Sequence, residues 1–319
     1  MTLLETDSAL ALSGHVVGVD IGGTKTHVAV ARIEAVRSRP IREFVVPSAS
    51  WRGALGDFRA DGVALRDLLV GHLGESVLSA PLAVGAHGCD NTDQCRELEH
   101  VLRRLFTGPV VVVNDSELMA PAMGVVRAIG VVVGTGSIAT ARDGGGELLT
   151  AGGWGWLLGD EGSAPALVRD ATRAVLAHLD RGEAIDVLGQ RLLAAFAARD
   201  GAELALAVTR AASAGAWGVH APEVFTAADE GSAIAVDVIR NAGGELAGLV
   251  DQLLARGVRT NAVVAGGSVI ERQPRLQNAL RSALVRHHAD VELHILSRSP
   301  VTGAVALARG IAGEATNNP

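Results

Sequence analysis

Apolar residues recur along this chain in short runs broken by glycine and in longer stretches of helical period. Residues 15–31 read His-Val-Val-Gly-Val-Asp, Ile-Gly-Gly-Thr and Lys-Thr-His-Val-Ala-Val-Ala. Two β-rich runs around a Gly-Gly turn predict a hairpin. Residues 110–114, Val-Val-Val-Val-Asn, form a continuous apolar run, the pattern of a strand buried on both faces. A second strand–turn–strand follows at 129–142, as Ile-Gly-Val-Val-Val, Gly-Thr-Gly-Ser and Ile-Ala-Thr-Ala-Arg. It repeats the first in order and in turn chemistry. Such a repeat reads as an internal duplication with one copy per domain, although a match this short is also open to coincidence.

Helical period appears at 164–179, where Leu167, Val168, Ala171, Val175, Leu176 and Leu179 share one face. Ser163 is placed to cap this helix and Pro165 suits its first turn. Residues 185–211 and 233–256 also predict helices, the latter ending before Gly257. A buried strand is expected at 261–265, running into Gly266-Gly267-Ser268. A helix at 275–286, a strand at 291–296 and a helix at 303–312 complete the pattern. No low-complexity linker separates the halves, and the repeat alone puts a boundary near 120–128.

Composition narrows the classes. The 319 residues suit about two domains. A hydrophobic share of 48% against 20% charged residues is a globular balance, and disorder needs the opposite. Net charge is −7 and no basic stripe stands out, so a nucleic-acid partner has no electrostatic footprint. No apolar run of about 18 residues is free of charge, which argues against a membrane span. The N-terminal stretch carries Glu5 and Asp7 and no basic region, unlike a signal peptide. Two cysteines, Cys89 and Cys95, are too few for a disulfide scaffold and fit a reduced cytoplasmic chain. Their spacing is not that of a zinc site.

Five segments carry candidate chemistry. In Asp20-Ile-Gly-Gly-Thr-Lys-Thr26 the glycines Gly22 and Gly23 would let backbone N–H groups approach a phosphate. Thr24 and Thr26 would add hydroxyls and Lys25 a charge. Asp20, at a strand end, would hold Mg²⁺ directly or through water. The P-loop spacing is absent, and a plain hairpin turn is the competing reading. Gly134-Thr135-Gly136-Ser137 invites the same argument, and the pair of loops is more specific than either alone. Gly266-Gly267-Ser268 would let a flat ligand lie on backbone, or would simply turn a strand into a helix. Asp115, in Val113-Asn114-Asp115-Ser116, falls where α/β sheets place ligands. It is a candidate base, or a helix cap. Finally, the segment from Gly152 to Ser163 holds five glycines, Trp154, Trp156, Asp160 and Glu161. Its Gly-Gly pair reads as backbone crowded against a ligand, and a Trp face suits a pyranose. A tightly packed turn with Trp154 in the core is the alternative.

Taken together these residues resemble the N-acetylglucosamine kinase / BadF-BadG-BcrA-BcrD ATPase family, within the sugar kinase–actin–Hsp70 superfamily. Gly-Gly-Trp-Gly-x-x-x-Gly-Asp-Glu-Gly-Ser is the most specific stretch. The resemblance implies two α/β domains of ribonuclease-H-like, actin-like ATPase topology with a cleft between them. The domains would be 1–122, with the helix of 298–319 packing back on it, and 123–297. It implies ATP and Mg²⁺ as cofactors and a small-molecule sugar as substrate, and it leaves a homodimer open. Asp20–Thr26 would be the first phosphate loop, Thr135 would lie in the second, and Gly266 and Gly267 would belong to the adenosine loop. Asp115 would be the base. Trp51, Asn114, Gly153, Trp154 and Asp160 would face an amino sugar phosphorylated at its primary hydroxyl. Two departures stand out. Ala49 and Ser50 replace the family's Asn ahead of Trp51, and Ala-Pro-Ala follows Ser163 in place of an aromatic pair. Both bear on the N-acetyl contact. Two other classes stay open: a dehydratase-activating ATPase with an iron–sulfur cluster shared across a dimer, and a non-catalytic sugar sensor.

Overall fold

The computed structural model describes residues 12–34, 39–53 and 56–317. The leader-free reading of the first residues falls mostly outside that range. The chain divides into two compact units. Unit 1 takes residues up to Val126 and from Arg298 onward, and unit 2 takes Arg127–Ser297.

In unit 1, strands β1 (His15–Ile21), β2 (Lys25–Arg32) and β3 (Arg42–Pro47) form an antiparallel meander. Helix α1 (Phe58–Leu73) leads to β4 (Leu82–Ala86), and α2 (Thr92–Leu105) leads to β5 (Val110–Val113). β4 pairs parallel with β1, and β5 parallel with β4, giving the order β3-β2-β1-β4-β5. β5 is therefore an edge strand. Val110 and Val112 are buried and Val111 and Val113 are not fully so, where the apolar run predicted burial on both faces. A continuous run of valines marks the strand but not the cover over each of its faces. After a 3₁₀ turn the short α3 (Met119–Ala122) closes this part of the unit, and α11 (Val301–Asn317) packs on β1, with Val16, Ala29, Val301, Val305 and Ala308 in its core.

Unit 2 repeats the order. β6 (Ile129–Val133), β7 (Ser137–Arg142) and β8 (Leu148–Gly152) form the meander, and β9 (Ala262–Gly266) and β10 (Glu292–Ile295) add in parallel beside β6. The sheet reads β10-β9-β6-β7-β8, the same topology as unit 1. Between β8 and β9 lie α4 (Ala164–Asp180), α5 (Val187–Ala195), α6 (Gly201–Arg210), α7 (Ala214–Gly218), α8 (Ala221–Asp229) and α9 (Ala233–Ala255). Helix α10 (Pro274–His287) connects β9 to β10. The single helix expected over 185–211 is thus two. Ala197 takes a left-handed φ of 50°, and Asp200 caps α6 by accepting from Glu203 N. Apolar period continues across that break, so the pattern hides it. Ser163 caps α4 as expected, accepting from Ala166 N.

Candidate active site

In unit 1 the three parallel strands end together. Ile21 pairs with Ala86 and Gly85 with Val113, so Asp20, His87 and Asn114-Asp115 come to one edge of the sheet. Ligand sites of open α/β sheets form at this carboxyl edge. The β1–β2 turn closes with Gly22 N donating to Lys25 O at 3.0 Å and leaves Gly23, Thr24 and Lys25 exposed.

Thr26 is fully buried. Its hydroxyl meets Ser48 Oγ at 3.0 Å and accepts from Trp51 Nε1 at 3.0 Å. Ser48 Oγ donates to Gly22 O at 2.8 Å, and Ser48 N donates to Thr24 O at 3.0 Å. The segment that carries Trp51 is therefore stitched to the glycine turn. The Thr26 hydroxyl braces that union and does not stand open to a ligand.

Asp115 opens a 3₁₀ turn, but the cap is its neighbour. Asn114 accepts from Ser116 N at 3.0 Å, its N–H donates to Glu117 Oε2, and its amide donates to Cys89 O at 3.0 Å. Asn114 is buried and spent on these bonds. Asp115 accepts from Ser116 N at Oδ1 and from its own backbone N–H, and its side chain is 31% exposed. Desolvation pushes its carboxyl above the ordinary range, and the nearby His87 pulls it back. Asp20 is pushed up to about 7, first by burial, then by the charge of Asp115, with Lys25 opposing. Two carboxylates thus oppose each other across the strand ends.

That arrangement fits a divalent cation held mostly by phosphate oxygens and water, which needs one or two carboxylates. Among the described residues no group of three or more His, Cys, Asp or Glu forms a protein-only metal cage. Cys89 and Cys95 are free and buried. The hydrogen bond with Cys95 and burial push the Cys89 thiol up, so Cys89 is not poised as a thiolate ligand.

Sequence reasoning missed Arg52 and Asp61. Arg52 Nε donates to Asp61 Oδ2 at 2.8 Å, and its Nη1 donates to His87 O at 2.8 Å. Both side chains are about 5% exposed or less. The pair fastens the Trp51 segment to α1 and to the end of β4.

In unit 2 the β6–β7 turn holds Gly134, Thr135 and Gly136, with Thr135 exposed. Gly134 N donates to Gly136 O at 2.8 Å, and Ala164 N, at the start of α4, donates to Gly134 O at 2.9 Å. The turn therefore sits at a helix N-terminus, where the dipole favours anions. Ser137 is buried and its hydroxyl donates to Glu161 O at 2.7 Å. Asp160 takes a left-handed φ of 57° and is 7% exposed. It accepts from the backbone of Gly155 and Ser137, and desolvation pushes its carboxyl up. Asp160 is thus built into the turn.

Gly153 has φ 73°, and a Cβ there would meet Ile138 Cδ1 at 2.9 Å. The crowding expected against a ligand is against the protein's own β7. Trp154 is 76% exposed, beside exposed Leu157 and Leu158, so it is not core. Gly267, just past β9, has φ 113°, and a Cβ would lie 2.5 Å from Val133 O. Gly266 is buried in the strand and Ser268 is exposed.

These features define a two-unit α/β protein of the actin-like ATPase class. Two solved structures share the fold. One is a proposed N-acetylglucosamine kinase of Chromobacterium violaceum, 22% identical, matched over 92% of this chain and 98% of that one, with a TM-score of 0.58. The other is its counterpart from Porphyromonas gingivalis, 18% identical, matched over 92% and 99%, with a TM-score of 0.60. Over residues 91–308 the sequence matches the BadF/BadG/BcrA/BcrD ATPase family, and the chain belongs to it. An N-acetylmuramic acid/N-acetylglucosamine kinase of Clostridium acetobutylicum is 33% identical over 177 residues, 53% of this chain and 56% of that protein. The match spans about half the length of that curated relative. Among the described residues no helix is long and apolar enough to cross a membrane.

Proposed function

We propose that this protein is an ATP-dependent kinase of an amino sugar, N-acetylglucosamine or glucosamine, with Asp115 as the base. The observation that carries this reading is Asp115 itself: partly open, desolvated, and set beside Asp20 and the glycine turn at the carboxyl edge of the unit 1 sheet. Asn114 caps the turn, and Asp115 only shares the Ser116 N–H with it. The family membership and the partial match to an amino-sugar kinase support the same reading.

In the reaction the sugar hydroxyl oxygen forms a bond to the γ-phosphorus. The bridging P–O bond breaks and its electron pair leaves with ADP. The hydroxyl proton passes to Asp115. A raised carboxyl pKa suits that acceptance, because a base works best when its pKa approaches the working pH. Phosphoryl transfer is otherwise positioning and charge neutralisation. Lys25 and the N–H of Gly23 would hold phosphate oxygens, while the Gly22 N–H closes the turn on Lys25 O. In unit 2, Thr135 and its turn at the start of α4 would be a phosphate-binding loop, and Gly266-Gly267-Ser268 would take the adenosine. Mg²⁺, bound through Asp20 or its water, would neutralise phosphate charge. Trp154, exposed, would offer its face to a sugar, and Trp51, partly exposed, is a further sugar-side candidate. Asp160 and Thr26 hold these elements in shape.

The test is a phosphotransfer screen with ATP over hexoses, hexosamines and N-acetylated sugars. Preference for glucose would remove the amino-sugar claim and leave the kinase. Absence of transfer to any sugar would remove both.

A further inference from the structure

The first residue beyond β4 is His87, and its backbone is pinned on both sides. Its N–H donates to Ile21 O at 2.8 Å, and its carbonyl accepts from Arg52 Nη1 at 2.8 Å. The side chain is 46% exposed, and among the described residues its ring makes no hydrogen bond. Nδ1 stands 3.9 Å from Asp115 Oδ2. The opposite edge of the ring lies by the glycine turn, since a Cβ placed on Gly23 would be 3.5 Å from both Cδ2 and Nε2.

One ring therefore addresses both halves of the unit 1 site, the base with one nitrogen and the turn with the other. A solvated surface histidine needs no such anchoring. Here a buried ion pair and a ladder hydrogen bond fix the backbone around an open ring. The duplicated topology makes the contrast plain. β9 pairs with β6 as β4 pairs with β1, and the first residue past β9 is Gly267. Unit 2 keeps that place free of any side chain, while unit 1 fills it with an imidazole.

We propose that His87 is a further residue of the transfer site, aligning the Asp115 carboxylate through Nδ1 and offering Nε2 to an oxygen of the transferred phosphoryl group at the Gly22-Gly23 turn. The inference rests on the kinase reading above. An imidazolium donates from both nitrogens. A donor fixed in advance where charge develops needs no reorganisation during the reaction, and removing one such donor commonly costs about 10²–10³ in turnover.

The test uses the full chain with His87→Ala and His87→Gln, on whichever sugar the wild type phosphorylates. His87→Ala should lower kcat about 10²-fold with KM for the sugar moving less than about threefold. Added imidazole should restore part of the rate to His87→Ala and none to His87→Gln, whose side chain fills the space. A purely structural role would not respond to imidazole. Unchanged kcat in both variants, or a loss that imidazole does not relieve, overturns the role of His87. A wild type inactive toward every sugar overturns the kinase reading and His87 with it. An active wild type with an active variant removes His87 alone.

Discussion

Asp20 is costly to the folded protein when no ligand is bound, and Asp20→Asn should reveal this. Burial and the Asp115 charge raise its carboxyl from 3.8 to about 7. Below about pH 4 the group is protonated in both folded and unfolded chains and contributes nothing to stability. Between there and pH 7 the folded protein keeps a proton that the unfolded chain has lost, so stability falls as pH rises. Above pH 7 both states are ionised and the full cost is present. A shift of about three units corresponds to about 4 kcal/mol. Residual solvation reduces what an experiment reads to about 1–3 kcal/mol. Asn is isosteric and uncharged. The variant should match wild type near pH 4 and gain on it up to about pH 7.5, then hold a constant lead. Urea unfolding of the ligand-free protein at half-unit pH steps measures this. A stability difference between variant and wild type that does not change with pH, or a variant less stable throughout, would refute the reasoning. Saturating Mg²⁺ and nucleotide should close the gap, because the cation supplies what Asn removes.

Further outcomes follow from the braces. Arg52→Met leaves the Asp61 carboxylate buried and unpaired, and urea unfolding should show a loss of about 3–5 kcal/mol. Adding Asp61→Leu should recover most of it, and a double variant no better than the single one would contradict the pairing. Asp160→Ala should cost about 2–4 kcal/mol, since it strands the Gly155 and Ser137 N–H groups and keeps a left-handed backbone. Asp160→Asn, which retains an acceptor and tolerates that backbone, should cost about 1 kcal/mol by the same assay; equal losses would mean the carboxylate does not brace the turn.

The two glycine turns were legible because β-rich runs flank them, and their repetition pointed to the duplicated order that both sheets adopt. α4 was legible from its apolar face and from Ser163. The break at residues 196–200 was not, because a single left-handed Ala197 leaves the apolar period intact. β3, β4 and β8 were missed because each is short, although β8 stands between the glycines of 144–146 and Gly152-Gly153. The family resemblance found the glycine loops and Asp115, but roles carried over by motif cannot say which hydroxyl is already engaged. Thr26, Ser137 and Asn114 are polar residues in a phosphate- or sugar-like context, and all three are buried in bonds to their own unit. Arg52 carried no signal at all, and His87, beside Cys89 and Cys95, stood out only as a weak metal candidate. Their importance comes from β1–β4 pairing and from an ion pair to α1, contacts that only the folded sheet creates.

The central claim is that Asp115 accepts the proton of an amino sugar during transfer from ATP. Steady-state phosphotransfer by wild type and Asp115→Asn, with nucleotide affinity measured on the same preparations, tests it most directly. Wild type should prefer N-acetylglucosamine or glucosamine over glucose, and Asp115→Asn should lose about 10²–10⁴ in kcat while binding ATP as before. A variant that keeps most of its turnover would contradict the account, because Asp115 would then be no base.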